Sequence, residues 1–477
     1  MLKICSLVIW HLVWLAVCFP ACSRTRTDKR LDEWRTIARA ETLDVFLKDR
    51  TVGTLTQSLT VVDSLDALCM SSDMAVTAGP QGSLRISGQR LYEPDGRIRS
   101  ANQTVKGESG TNQWTLQKSS KDWLLTVVAG GVATSSVVAS VKESIAPMLK
   151  LYKSIKSLSC RAGDVFLDTE FEIVSQKTII STTRCTAISG DRGRLTFEVI
   201  DDLAARSQTL ELDANAMTLS QDIEGVFVAR KKNGLPKATL AQPASATFSD
   251  FAKILSVRKD RPPQKGERIA LTILGGMSLD TSVSGFFQKT GGRWQLSDLG
   301  QGCGRQAQAS ADASFSGSAW TKPTVTIQSD FPTIVSLAHR LGAGAKDRCA
   351  IIDSCTRYVF ASLAKRNTAT FSNAVETLKA GFGDCGEHAV LLAALLRAEN
   401  IPARVVLGLV YFGPENGFVG HAWVMAHDGA QWIFCDPAFG LFPAGQNRIP
   451  LIIDDNGAHA VLLIRYIDRI GVDYVQR

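Results

Sequence analysis

The sequence predicts an α+β protein in which one or two antiparallel β-rich modules precede a C-terminal domain of helices and strands. Apolar and polar residues alternate along much of the stretch 40–315, which is typical of strands with one wet face. From residue 325 onward, apolar residues recur at helical spacing, and strand-like runs return after residue 400. A chain of 477 residues is too long for one hydrophobic core, so we expect two or three domains.

The N-terminal residues 1–23 have the order of a secretory signal peptide. Lys3 precedes an apolar run, and small residues followed by a basic segment come after it, in "MLKICSLVIWHLVWLAVCFPACSRTR". Cleavage is expected after Ser23. Two alternatives stay open: lipid attachment at Cys22, or an uncleaved anchor, although about 16 apolar residues fall short of the roughly 20 that span a bilayer. We therefore expect export to the periplasm or cell envelope, with or without membrane attachment.

Composition and charge narrow the class of protein. A hydrophobic fraction of 45% and a charged fraction of 21% are those of a soluble globular protein. The net charge is +7, but the basic residues are scattered among short loop-like clusters such as "VARKKNGLPK" and "RKDRPPQK". Such a distribution lacks the continuous basic stripe of a nucleic-acid interface, so no nucleic-acid partner is predicted.

The region 40–315 is expected to be an accessory region, used for recognition or as a spacer. Two modules, about 40–150 and 151–315, fit its strand pattern, as in "GDVFLDTEFEIVSQKTIISTTRCTAISGDRGRLTFEVID". It contains neither a G-x-S-x-G nucleophile motif nor a phosphate-binding loop.

An exported chain permits disulfides. Eight cysteines follow the signal segment: Cys69, Cys160, Cys185, Cys303, Cys349, Cys355, Cys385 and Cys435. If Cys385 stays free, an odd number remains; Cys349 with Cys355, or Cys160 with Cys185, are candidate bridges, and the connectivity stays open. The sequence has no CxxC pair and no HExxH, so neither a zinc site nor another cofactor is predicted.

In the predicted domain at 325–477, the stretch "GFGDCGEHAVLLAALLRA" contains the candidate nucleophile. Asp384 and Glu387 have the spacing of a capping box, which makes Cys385 the first helical residue. Unpaired backbone N–H groups and the positive end of the helix dipole favour a thiolate at that position. The flanking glycines leave room for a substrate. Cys385 is thus expected to act as a nucleophile rather than to form a disulfide.

A general base is sought among the histidines after Cys385. Asp428-Gly429 predicts a two-residue hairpin turn, which sets His421 opposite Asp436 on one face. That is the arrangement of a Cys–His–Asp triad, in which the acid orients the imidazole that activates the thiol. The same register sends Cys435 to the other face, opposite Ala422.

The remaining histidines and the aromatic residues of the hairpin have other expected places. His427 at the turn and His459 are expected at the surface, whereas His388 either packs in the core or tunes the site. Trp423, Met425, Trp432 and Phe434 share the face of the triad and are expected to form its core wall.

The motifs together resemble the transglutaminase-like domain of the papain-like cysteine enzymes. They are "GDCGEHAVLLAALLRAENIPARVVLGL", then "GHAWV", then a Trp and an Asp-Pro, over roughly 325–450. The resemblance implies that Cys385, His421 and Asp436 are the catalytic residues, and "NIPAR" replaces the family's "GIPAR". The layout of the whole chain also resembles that of exported bacterial proteins in which a β-rich N-terminal region precedes this domain. The indole or amide donor that many members place upstream of the cysteine has no evident counterpart; the backbone N–H of Cys385 is one expected oxyanion donor.

The function expected from these features is acyl transfer from an amide through a thioester at Cys385, acting on a peptide or protein substrate. Hydrolysis, as in a cysteine protease or amidase, is favoured because nothing in the sequence excludes water or binds a lysine. A cross-linking transglutaminase is one alternative. A non-catalytic binding or assembly protein with a relic triad is the other.

Overall fold

The computed structural model describes the chain in segments, which are residues 29–47, 50–77, 83–107, 110–129, 131–174, 176–190, 193–202, 207–223, 226–231, 255–274, 278–297, 303, 320–366, 372–445, 447–455, 463 and 466–476. The predicted signal peptide and His459 lie outside these residues. The chain divides into two compact units. The N-terminal unit comprises the described elements up to Lys231, and the C-terminal unit comprises those from Ser256 onward.

The N-terminal unit is built on one antiparallel sheet of 14 strands with two helices. In the middle of the sheet, β1 pairs with β14. From β1, the strands β2 to β8 follow outward in chain order, and from β14, the strands β13 to β9 follow outward in reverse order. The helices are α1 (Lys29–Arg35) and α2 (Ala146–Lys156). The strands are β1 (Arg39–Leu47), β2 (Arg50–Val62), β3 (Ala67–Thr77), β4 (Ser83–Tyr92), β5 (Ile98–Gly107), β6 (Gly110–Lys118), β7 (Trp123–Ala129), β8 (Val132–Val138), β9 (Val165–Glu172), β10 (Lys177–Ser189), β11 (Arg194–Asp201), β12 (Ser207–Asp213), β13 (Thr218–Ile223) and β14 (Phe227–Lys231).

Alternation in the sequence becomes alternation of burial in this sheet. Along β7, Trp123, Leu125, Val127 and Ala129 are buried, and the residues between them are more exposed. This follows from the period of two in a strand, where successive side chains point to opposite faces. The buried apolar residues of such a strand therefore lie on one face, and they contribute to the core of the unit.

A buried group of charges lies within the same unit. The guanidinium of Arg90, 2% exposed, contacts the carboxylates of Glu143 at 2.7 Å and Glu170 at 2.8 Å. Tyr92 donates its hydroxyl hydrogen to Glu143 at 2.7 Å. Asp168 lies nearby; burial and the charge of Glu143 raise its pKa to about 7. Arg90 compensates for the burial of the glutamates, and its charge and the backbone N–H of Thr169 offset only part of the burial of Asp168.

Strand β9 is at one end of the sheet and is covered along only part of its outer edge. The backbone N–H of Ser144 donates to the carbonyl of Thr169 at 3.1 Å, so the second half of the strand has a neighbour on that side. In the first half, Val165 is 45% exposed and Leu167 is 60% exposed. Two apolar side chains therefore protrude where the described chain leaves the edge of the sheet open.

The C-terminal unit combines helices with three smaller sheets, which confirms the α+β class. Its helices are α3 (Pro332–Gly342), α4 (Arg348–Ser362), α5 (Ala374–Ala380) and α6 (Cys385–Ala398). Its strands are β15 (Ser256–Arg258), β16 (Glu267–Ile273), β17 (Phe287–Thr290), β18 (Arg293–Leu296), β19 (Ala364–Lys365), β20 (Phe382–Gly383), β21 (Ala403–Phe412), β22 (Gly417–His427), β23 (Trp432–Cys435), β24 (Arg448–Ile453) and β25 (Ile470–Gln476).

Helix α6 is the centre of this unit. It packs against α3, α4 and α5 and against β21 and β22. All its residues after Cys385 except Ala398 are buried, as the run "AVLLAALL" requires. The helix ends in a Schellman motif: Asn400 has a φ of 56° and donates to Arg397, and Ile401 donates to Leu396. Asn400 thus occupies the left-handed position that glycine often takes at a helix end.

The sheet behind α6 has the order β15-β22-β21-β24, and β23 also pairs with β22. Gly408 on β21 lies opposite His421 on β22, and both strands are buried along nearly their whole length. A buried sheet and a buried helix thus hold the start of α6 and the middle of β22 in fixed positions.

The described cysteines include one disulfide, between Cys303 and Cys349. Neither bridge suggested by sequence proximity is present: Cys160, Cys185 and Cys355 are free and buried. Cys385 is also free, as expected for a nucleophile. Among the described residues, no helix has the length and apolar character needed to cross a membrane.

Candidate active site

Cys385 is the first residue of α6, and the predicted capping box is present. The Asp384 carboxylate accepts from the N–H of Gly386 at 2.7 Å, and the Glu387 carboxylate accepts from the N–H of Asp384 at 3.0 Å. Glu387 also accepts from Ser372 at 3.1 Å, which ties the helix start to the segment before α5. The position of the thiol is therefore set by a doubly capped, buried helix end.

The Cys385 thiol lies beside β22. The backbone N–H of Ala422, the residue directly after His421, donates to its sulfur. Burial raises the pKa of the thiol, the charge of Asp384 raises it further, and the Ala422 hydrogen bond opposes them. Burial and Asp384 thus act against the helix end, whose stabilisation of a thiolate stays a prediction. The reaction also needs a base that takes the thiol proton.

That base is positioned by an acid. The Nε2 atom of His421 lies 2.9 Å from Oδ2 of Asp436, and both side chains are buried. An ionised carboxylate can only accept a hydrogen bond, so Nε2 carries the proton. In the neutral imidazole, Nδ1 is then the nitrogen with a lone pair that can accept the proton of a thiol.

The hairpin that carries these two residues differs from the predicted one. Val424 pairs with Cys435 and His427 with Trp432, so the register is shifted by two residues. The cause is a longer turn: the Asp428 carboxylate accepts from the N–H groups of Ala430 at 2.7 Å and Gln431 at 2.8 Å, and these residues join the turn.

The shift does not separate the pair. Because strand side chains alternate with a period of two, an even shift leaves His421 and Asp436 on the same face, now as diagonal neighbours. Asp436 follows the end of β23 and contacts His421 from there. Cys435 faces away, as expected, but opposite Val424 rather than Ala422.

Arg448, at the start of β24, completes the site and was not predicted. Its Nε and Nη2 atoms lie 2.9 Å and 2.5 Å from Oδ2 of Asp436, and it is 1% exposed. The other carboxylate oxygen accepts from the N–H groups of Ala438 at 3.1 Å and Phe439 at 3.2 Å. Although burial opposes it, His421 and Arg448 hold the pKa of Asp436 at about 2. The one sequence signal was a lone arginine at the head of the apolar run "RIPLII".

His388 is fully buried one turn along α6. Its Nδ1 lies 2.6 Å from the carbonyl of Asp384, and a carbonyl only accepts, so Nδ1 carries a proton. Its buried Nε2 has no hydrogen-bond partner within the described segments, and burial lowers the pKa of the ring. His388 is therefore a neutral core residue that supports the N-cap of α6. His427 is partly exposed beside Trp432, with ring centroids 5.3 Å apart.

Aromatic rings surround His421. Trp423, Met425 and Phe434 are buried and form the expected core wall, while Trp432 is only half-buried. The ring of Trp423 stacks at 6.2 Å from that of His421. The ring centroid of Phe439 lies 4.9 Å from that of His421, and Phe439 is 38% exposed. The imidazole is thus held between a buried indole and a partly exposed phenyl ring.

The residues of this site lie in a part of the chain that matches a known family. Residues 335–437 match the family model described as the Transglutaminase-like superfamily. No curated protein matches the chain. The segment that matches includes Cys385, His421 and Asp436, and it ends one residue after Asp436.

Several solved structures are similar at low identity. A candidate cysteine protease from Cytophaga hutchinsonii has 16% identity and a TM-score of 0.29, over 46% of this chain and 83% of that chain. A protein of a domain family of unknown function from Brucella abortus has 8% identity and a TM-score of 0.30, over 41% and 94%. A candidate protease from Parabacteroides distasonis has 11% identity and a TM-score of 0.21, over 69% and 64%.

These TM-scores are too low to support an argument, so the assignment is based on the family model. The resemblance noted in the sequence is confirmed for this part of the chain. The C-terminal unit of the protein contains a transglutaminase-like domain at residues 335–437.

Proposed function

We propose that the protein is an exported cysteine enzyme that transfers the acyl group of an amide through a thioester at Cys385. The observation that carries the proposal is the hydrogen-bonded series Arg448–Asp436–His421 next to a thiol that accepts from the N–H of Ala422. The substrate would be a peptide or protein. Hydrolysis, as in a peptidase or amidase, is the proposed outcome.

In the first half-reaction, Nδ1 of His421 takes the thiol proton as the sulfur attacks the amide carbon. The carbonyl oxygen becomes an oxyanion, for which the backbone N–H of Cys385 is a proposed donor. The intermediate collapses to a thioester, and the departing amine takes the proton from His421. Water then attacks the thioester with His421 as base, which releases the acid and restores the thiol. Asp436 stabilises the transient imidazolium.

The test is alkylation of Cys385 by iodoacetamide at neutral pH, followed by mass spectrometry. Wild type is compared with His421→Gln and Asp436→Asn, and Cys385→Ala identifies the labelled site. We expect His421→Gln to slow alkylation by about tenfold or more, because the thiol then has no base. His427→Gln is the matched control, since it lies six residues along the same strand, about 20 Å away in an extended chain. It should label like wild type.

Equal labelling of wild type and His421→Gln would contradict the triad. Two assays then report the reaction. One measures ammonia released from a glutamine peptide, and the other measures new N-termini formed from a protein substrate. Each assay is run with and without added methylamine. Acid product in both cases supports hydrolysis, and incorporation of methylamine in its place would show that the enzyme is a transferase. Loss of the first 23 residues in a secreting host tests the proposed export.

A further inference from the structure

Partly exposed aromatic rings lie next to the candidate site. In the described part of the C-terminal unit, the large hydrophobic side chains that are exposed are Leu274, Phe360, Phe412, Phe439 and Leu441. Leu274 lies apart from the other four, which are either close to one another in the sequence or in contact with one another. We call Phe360, Phe412 and Phe439 the aromatic strip; their exposed fractions are 39%, 37% and 38%.

The strip is continuous with His421. The Phe439 ring lies 4.9 Å from the imidazole, and the Phe412 ring stacks on Phe439 at 6.4 Å with an angle of 21° between planes. On the other side, Phe360 packs on Gly440: a β-carbon there would lie 2.8 Å from the phenyl ring. Gly440 also has a φ of 66°, which suits glycine. The absence of a side chain lets two rings flank one backbone segment.

The same residue that orients His421 also holds the Phe439 part of this strip. Asp436 accepts the N–H of Phe439 at 3.2 Å, and its backbone exchanges two hydrogen bonds of 2.9 Å with Leu441. Phe439 is therefore held in place on a closed turn before any substrate arrives. Preorganised apolar surface beside a reactive group is typical of a substrate subsite, whereas rings that only fill a core would be covered.

We infer that the aromatic strip binds an apolar side chain, aromatic or branched aliphatic, of the peptide whose amide Cys385 attacks. This inference rests on the proposed function. The occupant is assigned by continuity with His421: a peptide with its carbonyl at the thiol passes the imidazole, and its neighbouring side chain meets Phe439 and then Phe412. Covering these rings with an apolar group removes surface from water on both partners, which favours apolar over small residues by about ten- to hundredfold.

The experiment uses the full chain and chloromethyl ketones that share one reactive group: acetyl-Phe-Gly, acetyl-Gly-Phe and acetyl-Gly-Gly. Second-order rate constants for alkylation of Cys385 are measured by mass spectrometry. Iodoacetamide is the control reagent, since it carries no peptide. One phenylalanine reagent should react about ten- to hundredfold faster than the Gly-Gly reagent. Phe412→Ala should remove most of that ratio, and Phe412→Leu should retain part of it. Leu274→Ala is the control for an exposed apolar residue outside the strip and should keep the ratio.

The outcomes separate the two proposals. If Cys385 reacts with neither iodoacetamide nor any ketone, the proposed function fails. If it reacts with iodoacetamide and all three ketones at one rate, the subsite is refuted and the triad stands. A ratio that survives Phe412→Ala, in a protein with an unchanged circular dichroism spectrum, also overturns the subsite. So does a wild-type dimer that Phe412→Glu dissociates without any change in the ratio, since the strip would then be an interface between copies.

Discussion

Replacement of Arg448 by methionine tests how the acid of the site is held. Arg448 and Asp436 are both buried, and the guanidinium makes two of the three side-chain contacts to Oδ2. Removal of one partner of a buried ion pair costs about 3–5 kcal/mol, because the other charge stays buried. With a urea m-value of about 3 kcal/mol per molar for a unit of this size, the midpoint should fall by roughly 1–1.7 M.

A reporter inside the C-terminal unit is available for this measurement. Cys355 and Cys435 are buried free thiols, so a short pulse of alkylating reagent labels them only after the unit opens. In a double-mutant cycle, Arg448→Met with Asp436→Asn should be less destabilised than the sum of the single variants, since neither charge is then buried alone. Additive costs, with a coupling below about 1 kcal/mol, would refute the reasoning.

The same site predicts a pH dependence. The pKa of Asp436 is depressed to about 2, so its contribution to stability is present above the ordinary carboxyl range and is lost as the pH falls from about 4 toward 2. With Arg448 replaced by methionine, the pKa of Asp436 in the folded protein should lie closer to its ordinary value, so less stability should be lost over this pH range.

Three further changes have expected outcomes. Gly408→Ala would place a β-carbon 2.0 Å from the carbonyl oxygen of Ile449, so urea unfolding should show a loss of at least about 1–3 kcal/mol, whereas Gly413→Ala, with open space, should cost little. Burial raises the pKa of Asp168 to about 7, so wild-type stability is lost as the pH rises from about 4 to 7. Since asparagine does not ionise, Asp168→Asn should raise the melting temperature at pH 8 more than at pH 5. Asp347→Ala removes the N-cap of α4, and its unfolding free energy should fall by about 1 kcal/mol.

The parts of the fold that could be predicted depend on local rules. The capping box, the start of α6 at Cys385 and the asparagine at its end each involve residues within a few positions of one another. The shared face of His421 and Asp436 follows from the period of a strand, which is why it survived an error of two in the register. These features needed no knowledge of distant contacts.

The parts that could not be predicted depend on residues distant in the chain or on burial. Arg448 reaches Asp436 because β24 pairs with β21, and nothing local indicates that pairing. Cys303 bonds to Cys349, which lies far along the chain, rather than to a near neighbour. The raised pKa of the Cys385 thiol arises from burial, which spacing alone cannot measure. The turn at Asp428 is lengthened by two hydrogen bonds to its carboxylate, which the Asp-Gly pair alone does not indicate.

The open half of β9 affects how the protein behaves at high concentration. Unpaired backbone groups at a sheet edge form hydrogen bonds with any extended chain, and apolar side chains beside them add to the attraction. Because Ser144 covers only the second half of the strand, the segment with Val165 and Leu167 offers a second molecule an edge on which to add a strand. A lysine in place of Leu167 should therefore make aggregation through this edge less favourable.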